Sequence, residues 1–334
     1  MTNRGLPARM RRHAPAILKR LAGRYLNVAA ELMAMQLAQV TDNIAHDAFY
    51  RHGFHLLRKH YYLPIPDESD ITDGFWEQRS SLPGLDMNEI VALDFLKTLF
   101  PRRMAEFRQH FPVERWDEAP HFHLINGGYM AVDAHVYFSF IREFKPRRII
   151  EIGAGYSTML ACAAAELNKG ETGLAPRITA IEPYPWDIFK AGYPGLTELI
   201  AKKVQDVDRS LITSLGPDDI LFIDSSHVLR SGNDVQYEYL EVLPRLGPGV
   251  FVHIHDISLP EAYPKTYYDR QLYWNEQYLL QAFLSFNTKF EVIWPGNYMM
   301  IKYPHVMHEV FPEIQTMRQS YPQSEPSAFW MRTR

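Results

Sequence analysis

Two motifs that contain histidine and aspartate are the residues of this sequence best suited to proton transfer. The first, D-S-S-H, runs from Asp224 to His227, and the second, H-I-H-D, runs from His253 to Asp256. Each follows a short apolar run that is typical of a buried strand. A neutral imidazole can remove a proton near physiological pH, so His227 or His255 is predicted to act as a general base that Asp256 orients. His253 is expected to be a hydrogen-bonded strand residue beneath the site.

A pair of glycines predicts a ligand site at the end of another strand. Gly153 and Gly155 lie in KPRRIIEIGAGYST, and glycines where a strand gives way to a helix let the backbone approach a ligand closely. A dinucleotide-binding turn would carry a third glycine where this chain has Thr158, which weakens the interpretation as a nicotinamide site. Glu151 could meet an ammonium group, and the hydroxyls of Ser157 and Thr158 could cap the helix or hold a carboxylate. Ammonium and carboxylate together describe the methionyl end of S-adenosylmethionine.

Further side chains at predicted strand ends could hold a nucleoside. Glu182 ends the segment ITAIE, where a carboxylate can accept both ribose hydroxyls. Tyr184 and Trp186, in PYPW, offer flat surfaces for adenine. Asp206, in VQDVD, could accept a hydrogen bond from the adenine amino group. Their recurrence at successive strand ends favours one common site.

The elements that must position these residues begin near Tyr129, where the apolar pattern starts to alternate between helix and strand periods. A helix is predicted over residues 131–144, and a second over 157–168 that Gly170 ends. The predicted strands cover residues 149–152, 177–181, 198–204, 219–223 and 249–254. The stretch FEVIWPGNYMMIKY is predicted to form a closing hairpin. This order predicts an α/β fold with a doubly wound, seven-stranded Rossmann-like sheet and one antiparallel closing strand.

Three regions are predicted along the chain: a mainly helical lid or oligomerisation region over residues 1–125, a cofactor-binding domain over 126–302 and a C-terminal extension over 303–334. The first 30 residues hold seven arginines or lysines and no acid. We interpret this stretch as an amphipathic helix that packs its apolar side chains on the protein body or on a second subunit, giving a possible homo-oligomer. Those side chains are Ile17, Leu18, Leu21 and Tyr25.

Composition excludes several classes of function. The formal net charge of −4 gives no reason to expect nucleic-acid binding, and no apolar run is long enough to span a bilayer. Cys162 is the single cysteine, so the chain has no internal disulfide and no cysteine-rich metal site. We therefore expect a cytoplasmic protein that acts on a small molecule.

Aromatic residues near loops are candidates for the acceptor site. Tyr62 lies in a proline-rich connection that, with Trp76, could form a lid. Trp274 and Glu276, in YWNEQYLLQAFL, lie where the substrate side of such a fold is usually built. Tyr62, Trp274 and Glu276 are therefore predicted to contact a small, partly apolar molecule with an amine or hydroxyl. Packing in the core or at a helix start is the competing interpretation.

Five motifs, in order EIGAGYST, ITAIEPYPW, VQDVD, DDILFIDSSH and GPGVFVHIHDI, resemble the class I S-adenosylmethionine-dependent methyltransferases, in particular the bacterial methyltransferase 24 domain group. The resemblance covers about residues 126–302. It implies a methionyl site at Glu151 and the glycines, a ribose site at Glu182, an adenine site near Asp206 and a sulfonium pocket bordered by Asp224. The full set of expected cofactor contacts is Glu151, Gly153, Gly155, Tyr156, Ser157, Thr158, Glu182, Trp186, Asp206, Asp224 and Ser225.

The resemblance also raises a metal alternative. In metal-dependent O-methyltransferases of this fold, an acid after the fourth strand and two adjacent ligands after the fifth hold a divalent ion that lowers the pKa of a hydroxyl. Asp224, His255 and Asp256 fall at comparable places. Those enzymes usually present Asp and Asn after the fifth strand, so His255 is a departure that argues against magnesium. The sequence interpretation therefore favours a site without metal.

The predicted function is methyl transfer from S-adenosylmethionine to oxygen or nitrogen of a small molecule, by in-line displacement and with a His/Asp proton acceptor. One alternative is transfer or cyclisation of the aminocarboxypropyl group, which would release methylthioadenosine. Another is a cofactor-binding module without catalysis, whose N-terminal region has become an interaction surface. The fold alone does not choose among these functions.

Overall fold

The computed structural model describes residues 16–38, 46–115 and 121–334. The chain divides into two compact units, Met1–Pro64 and Ile65–Arg334. The first contains helices α1 (Ala16–Ala38) and α2 (His46–Arg51). Tyr25 on α1 is 74% exposed, and the predicted association of this helix with a second subunit stays a prediction; the side chains of Ile17, Leu18 and Leu21 are not among those described. Among the described residues, no helix has the length and apolar character needed to cross a membrane.

The second unit is built on a seven-stranded mixed sheet, which confirms the predicted α/β fold. Its strands are β1 (Arg148–Ile152), β2 (Arg177–Ile181), β3 (Glu198–Ile200), β4 (Ile220–Ile223), β5 (Phe251–Ile254), β6 (Phe290–Pro295) and β7 (Phe329–Thr333). They are ordered β3-β2-β1-β4-β5-β7-β6. The first five strands pair in parallel, and β7 pairs antiparallel with both β5 and β6. The order reverses between β1 and β4, the point at which open α/β sheets bind ligands.

Helices cover both faces of this sheet because successive residues of each parallel strand point to opposite faces. In β4, Ile220 and Phe222 join one buried apolar cluster, whereas Leu221 and Ile223 join another. The helices in chain order are α3 (Glu89–Asp94), α4 (Phe100–His110), α5 (Asp133–Phe144), α6 (Tyr156–Thr172), α7 (Asp187–Lys190), α8 (Arg209–Thr213), α9 (Asp234–Tyr237), α10 (Lys265–Asp269), α11 (Glu276–Leu284), α12 (Gly296–Lys302), α13 (Pro304–Val310) and α14 (Glu313–Ser320). Five-residue π-helical turns, Phe95–Leu99 and Glu238–Val242, continue α3 and α9.

The predicted closing hairpin is wrong. The residues after β6 form α12, and the antiparallel partner of β6 is β7, which lies 34 residues further along at its first residue. Phe329 pairs with Pro295 and also with Ile254, so β7 is inserted between β6 and β5. The segment YMMIK is too short and too uniformly apolar for its period to separate helix from strand, and the long-range pairing decided the outcome.

Two further boundaries differ from the sequence predictions. Helix α6 continues through Gly170 to Thr172, and Gly173 caps its C-terminus. The φ of Gly173, +76°, is the left-handed conformation that glycine adopts readily, and its N–H donates to the Lys169 carbonyl at 2.8 Å. The predicted divisions at 125 and 302 do not coincide with the structural units, because residues 65–125 lie in the same unit as the sheet and residues 303–334 supply β7. The C-terminal segment is therefore part of the core architecture.

Candidate active site

A cavity of about 590 Å³ opens at the carboxyl ends of β1, β2 and β4. Gly153 follows β1, Glu182 follows β2 and Asp224 follows β4, and all three line this first cavity together with Ser225. The backbones of β1 and β4 come so close that a Cβ on Gly153 would lie 2.3 Å from the Asp224 carbonyl oxygen. The predicted convergence of Glu182 and Asp224 on one rim is therefore observed.

Glu151 does not line the cavity, which corrects the sequence interpretation. Its side chain is fully buried beneath the glycine turn, where its carboxylate accepts hydrogen bonds from the hydroxyls of Tyr137, at 2.8 Å, and of Thr158. Burial raises the pKa of Glu151 to about 7, although both hydrogen bonds lower it. The Thr158 hydroxyl oxygen also accepts the Gly155 N–H at 3.1 Å. Glu151 and Thr158 therefore hold the turn in shape from within.

The remaining predicted cofactor residues divide between the cavity and its surroundings. Ser157 is buried inside α6, and Tyr156 packs edge-to-face on Trp186 with ring centroids 5.3 Å apart, outside the cavity lining. Asp206 is exposed and does not line the cavity, whereas its neighbour Gln205 does. The one-residue difference arises because this segment is a 3₁₀ turn, Val204–Asp206, rather than the end of a strand.

Two imidazoles and two carboxylates form a compact cluster beside this cavity. The Nε2 atom of His227 lies 3.3 Å from Oδ1 of Asp224 and 3.5 Å from Oδ2 of Asp256. The Nδ1 atom of His255 lies 3.5 Å and 3.6 Å from the same two oxygens. The two motifs that the sequence singled out therefore meet, and we call these four residues the His-Asp cluster.

Two further carboxylates hold the outer ring nitrogens of the cluster. The Nδ1 atom of His227 lies 2.9 Å from Oε2 of Glu276, which is fully buried. The Nε2 atom of His255 lies 3.4 Å from Oδ2 of Asp133, in the first turn of α5. The sequence interpretation predicts that Glu276 contacts the substrate. Because Glu276 is buried against His227, the structure assigns it instead to the support of that ring. Asp133 was missed, since it belongs to no motif and its partner is distant in the chain.

Local backbone contacts fix the position of His227. Its carbonyl oxygen accepts the N–H groups of Asn275 at 3.0 Å and Glu276 at 3.1 Å, so it ties the loop after β4 to the start of α11. His227 and Asp256 have φ values of +57° and +55°. These left-handed conformations are uncommon outside glycine and persist where surrounding contacts enforce them. The loops that present the cluster are therefore held by specific contacts.

The carboxylates perturb both imidazoles strongly. Burial alone would lower the pKa of His227, but its hydrogen bonds with Asp224 and Glu276 and the charge of Asp256 raise the pKa well above its usual value. Burial also lowers the pKa of His255, but the charges of Asp256 and Asp224 raise this pKa well above its usual value. The carboxylates therefore favour the protonated form of both rings, whereas the sequence interpretation assumes a neutral imidazole oriented by Asp256.

His253 lies in β5 beneath the cluster, as expected, but its ring is stacked rather than hydrogen-bonded. The ring lies 4.0 Å from Phe222, centroid to centroid and nearly parallel, and neither ring nitrogen has a hydrogen-bond partner. Burial and the nearby His255 lower the pKa of His253 well below its usual value. A neutral His253 therefore serves as part of the floor under the site.

A second cavity, of about 560 Å³, lies on the other side of the cluster. His255, Asp256 and Asp133 line one wall, and Tyr267 and Arg270 come from the segment around α10. Much of the opposite wall is the C-terminal segment, residues 317–327. The Tyr267 hydroxyl donates to Oδ1 of Asp256 at 3.4 Å. Sequence reasoning missed this wall, because the segment that forms it carries no recognisable motif.

The other predicted acceptor residues lie elsewhere. Trp274 packs on the His227 ring, with centroids 4.3 Å apart, and on Tyr267 at 4.6 Å, so it supports the cluster from behind. Tyr62 belongs to the first unit and is 87% exposed. Its predicted contact with a substrate stays a prediction.

The sheet has seven strands in the order β3-β2-β1-β4-β5-β7-β6, with antiparallel β7 inserted between β5 and β6, and a cavity at the β1/β4 reversal. This is the architecture of the class I methyltransferases. Residues 150–257 match the family described as Methyltransferase domain, the methyltransferase 24 group. A protein of Archaeoglobus fulgidus, named only as an uncharacterized protein, is 31% identical over 164 residues, which are 47% of this chain and 72% of that protein. The chain belongs to this family of S-adenosylmethionine-dependent methyltransferases.

Proposed function

We propose that this enzyme transfers a methyl group from S-adenosylmethionine in the first cavity to oxygen or nitrogen of a small molecule in the second. The observation that supports the proposal is the position of the His-Asp cluster. Asp224 lines the first cavity, and His255 and Asp256 line the second. Reacting groups in the two cavities can therefore meet at the cluster, as in-line displacement requires.

The residues of the first cavity fit the proposed cofactor. Its volume, about 590 Å³, lies within the range of small-molecule sites. One carboxylate oxygen of Glu182 accepts the Tyr184 N–H at 2.7 Å. This contact restrains the carboxylate, and its other oxygen would accept hydrogen bonds from ribose. Gln205 would meet adenine, and the absent side chain of Gly153 leaves room for the methionyl part. When bound, S-adenosylmethionine supplies a methyl carbon whose bond to sulfur breaks as its bond to the acceptor forms.

The acceptor must also lose a proton, and His255 is placed to take it. The positive sulfonium of the bound cofactor would offset the carboxylates that raise the pKa of this ring, which favours its neutral form. Among the cluster imidazoles, His255 lines the acceptor cavity. Its Nε2 atom is held by Asp133 at 3.4 Å and lies 3.4 Å from the Ser327 hydroxyl, so Nδ1 is the atom that faces Asp224 and Asp256. A carboxylate behind an imidazole fixes the ring orientation and stabilises the imidazolium that forms. Asp133, rather than Asp256, is thus the residue that orients the base.

The second cavity favours a polar acceptor. Arg270 provides a cation for an anionic or carbonyl group, and the rings of Tyr267 and Tyr321 provide flat apolar surface beside it. Asp133 and Glu325 add acceptors for hydroxyl or amine protons. We therefore propose a small molecule with a hydroxyl or amine to be methylated and a second polar group for Arg270.

Two measurements test this function. Calorimetry is expected to show binding of S-adenosylmethionine and S-adenosylhomocysteine to the full chain; no binding of either would defeat the proposal. With an acceptor panel, turnover should fall at least about a hundredfold in His255→Ala and about tenfold or more in Asp133→Asn, with cofactor affinity unchanged. Release of methylthioadenosine instead of S-adenosylhomocysteine would assign the alternative transfer reaction. Full turnover in His255→Ala would remove the base.

A further inference from the structure

The second cavity is lined mainly by polar side chains, which is unusual for a small-molecule site. Such sites are mostly formed by hydrophobic and aromatic side chains, with a few polar groups that fix the orientation of the ligand. Among the described residues that line this cavity of about 560 Å³, polar side chains outnumber apolar ones. The cavity therefore suits a ligand that carries many hydrogen-bonding groups of its own.

Six of these polar side chains are available to such a ligand. They combine four hydroxyls, one amide and one guanidinium, and they belong to Ser258, Thr266, Arg270, Ser320, Gln323 and Ser324. In the described part of the chain, none of these six side chains forms a hydrogen bond or an ion pair. Hydroxyls and amides both donate and accept hydrogen bonds. They can therefore pair with ligand hydroxyls, which also donate and accept.

Arg270 gives this cavity a position for one anionic group. It is the single lysine or arginine among the described lining residues. Glu325, which also lines the cavity, is paired with Arg318 at 2.5 Å, so this carboxylate does not occupy the Arg270 guanidinium. The planar guanidinium of arginine matches the geometry of a carboxylate or a phosphate with two parallel hydrogen bonds.

The anionic position lies close to the His-Asp cluster. The Tyr267 hydroxyl donates to Asp256 at 3.4 Å, so Tyr267 marks the end of the cavity at which the acceptor would react. Arg270 follows three residues later, at the C-terminus of α10. Side chains three residues apart on a helix are neighbours, with Cβ atoms about 5 to 6 Å apart. One six-membered sugar ring spans a separation of this order.

Two tyrosine rings on opposite walls add flat apolar surface. Tyr267 packs on Trp274 with ring centroids 4.6 Å apart. Tyr321, from the C-terminal segment, rests against Gly127, where an added Cβ would lie 2.7 Å from the Tyr321 hydroxyl oxygen. Such rings can pack on the C–H face of a sugar. A flat aromatic acceptor could also use these rings, but it would leave the surrounding hydroxyls and amide without partners, which lowers affinity.

We propose that the acceptor is an acidic sugar, in which a carboxylate or phosphate group binds Arg270 and a ring hydroxyl lies at the His-Asp cluster. This inference rests on the proposed function, because it names the acceptor of that reaction. The hydroxyl oxygen forms the bond to the methyl carbon, its proton passes to His255, and the electrons of the broken carbon–sulfur bond stay on sulfur. The product is a methyl ether of the sugar.

Binding of sugars to the full chain tests this proposal without any need for turnover. Calorimetric titrations, with and without S-adenosylhomocysteine, would use the methyl glycosides of glucuronic, galacturonic and mannuronic acid and a hexose monophosphate. Methyl glucoside serves as the neutral sugar, and protocatechuate as a flat aromatic acid with hydroxyls. At least one acidic sugar is expected to bind about tenfold or more tightly than both comparison compounds, because charged hydrogen bonds to Arg270 and those of the polar walls act together.

Two variants separate the charge from the polar walls. Arg270→Gln should weaken binding of the acidic sugar about 10- to 100-fold and leave binding of methyl glucoside unchanged. Gln323→Met keeps the length of the side chain and removes its hydrogen bonds, so it should weaken both sugars about 3- to 10-fold. The matched control is Arg147→Gln, an exposed arginine outside both cavities, which should leave all binding unchanged.

The outcomes separate the acceptor from the reaction. No binding of any acidic sugar at millimolar concentration, equal binding of acidic and neutral sugars, or full binding in folded Arg270→Gln would overturn the proposal. Methyl transfer to protocatechuate or to an amine, in a protein that binds no sugar, would overturn it and leave the proposed function standing. Binding of an acidic sugar that depends on Arg270, in a protein that binds no S-adenosylmethionine, would support the sugar site while defeating the proposed function. Preference for the uronic acids or for the phosphate supports the proposal in either case and identifies the anionic group.

Discussion

The two glycines of the turn after β1 look equivalent in the sequence, but the structure predicts very different costs for replacing them. At Gly153 the backbone has φ of +101°, and an added Cβ would lie 2.3 Å from the Asp224 carbonyl oxygen. Neither backbone can retreat easily, because the Gly153 N–H donates to Ile181 and the Asp224 N–H donates to Ile152, both at 2.9 Å. At Gly155 the backbone is extended, with φ of −164°, and an added Cβ would meet its nearest neighbour, the Trp186 ring, at 3.9 Å.

Gly153→Ala should therefore destabilise the protein by roughly 2 to 6 kcal/mol, of which about 1 to 3 comes from backbone strain and about 1 to 3 from overpacking. Gly155→Ala should lower the free energy of unfolding by less than about 1 kcal/mol, because the main loss is that alanine caps a helix N-terminus less well than glycine. Urea denaturation gives both free energies, and thermal melting should show a fall of roughly 5 to 15 °C for Gly153→Ala alone. Equal stability of the two variants would refute the close approach of β1 and β4.

Two further predictions concern the acids at the ends of β1 and β2. The pKa of Glu151 is raised to about 7, so its contribution to stability is full below its unfolded value, near 4.5, and is lost as pH rises through about 7. Between pH 5 and pH 8, the free energy of unfolding of Glu151→Gln, measured by urea denaturation, should therefore rise by up to about 3 kcal/mol relative to that of the parent. A difference that does not depend on pH would contradict burial of the carboxylate. Glu182→Ala should weaken S-adenosylmethionine binding about 10- to 100-fold in calorimetry, from loss of charged hydrogen bonds to ribose, whereas Asp206→Ala should not. If Asp206→Ala weakened binding more than Glu182→Ala, the sequence-based assignment of Asp206 to the adenine site would stand.

The parallel strands and the meeting of the two histidine motifs were predictable because both depend on local patterns. Continuous apolar runs indicate strands buried on both faces, and the carboxyl ends of parallel strands meet at one edge. His227 and His255 follow neighbouring strands, β4 and β5, so their approach needs no knowledge of loop conformation. The prediction of a shared site therefore required only the order of the strands.

The partners of these histidines were not predictable in the same way. Glu276 lies 49 residues from His227 and reaches it because the His227 carbonyl accepts the N–H groups at the start of α11. Asp133 lies before β1, in a helix whose apolar pattern gives no sign of a functional acid. For Glu151 the sequence predicted a ligand contact that the structure does not show. An acid inside an apolar strand is more often a buried, hydrogen-bonded group than a ligand contact, because its neighbours exclude solvent from it.

The two cavities also differ in where along the chain their walls originate. Among the residues that the structure describes, every one that lines the first cavity lies between Ile152 and Asp234, inside the stretch 150–257 that matches the methyltransferase family. The second cavity takes only His255 and Asp256 from that stretch, and draws its other walls from residues 127–133, 258–270 and 317–327. Membership of the family therefore bears on the first cavity, whereas under the proposed function the choice of acceptor depends on segments outside the match. Substitutions at Arg270 or in residues 317–327 should accordingly change which acceptor is methylated without changing cofactor affinity.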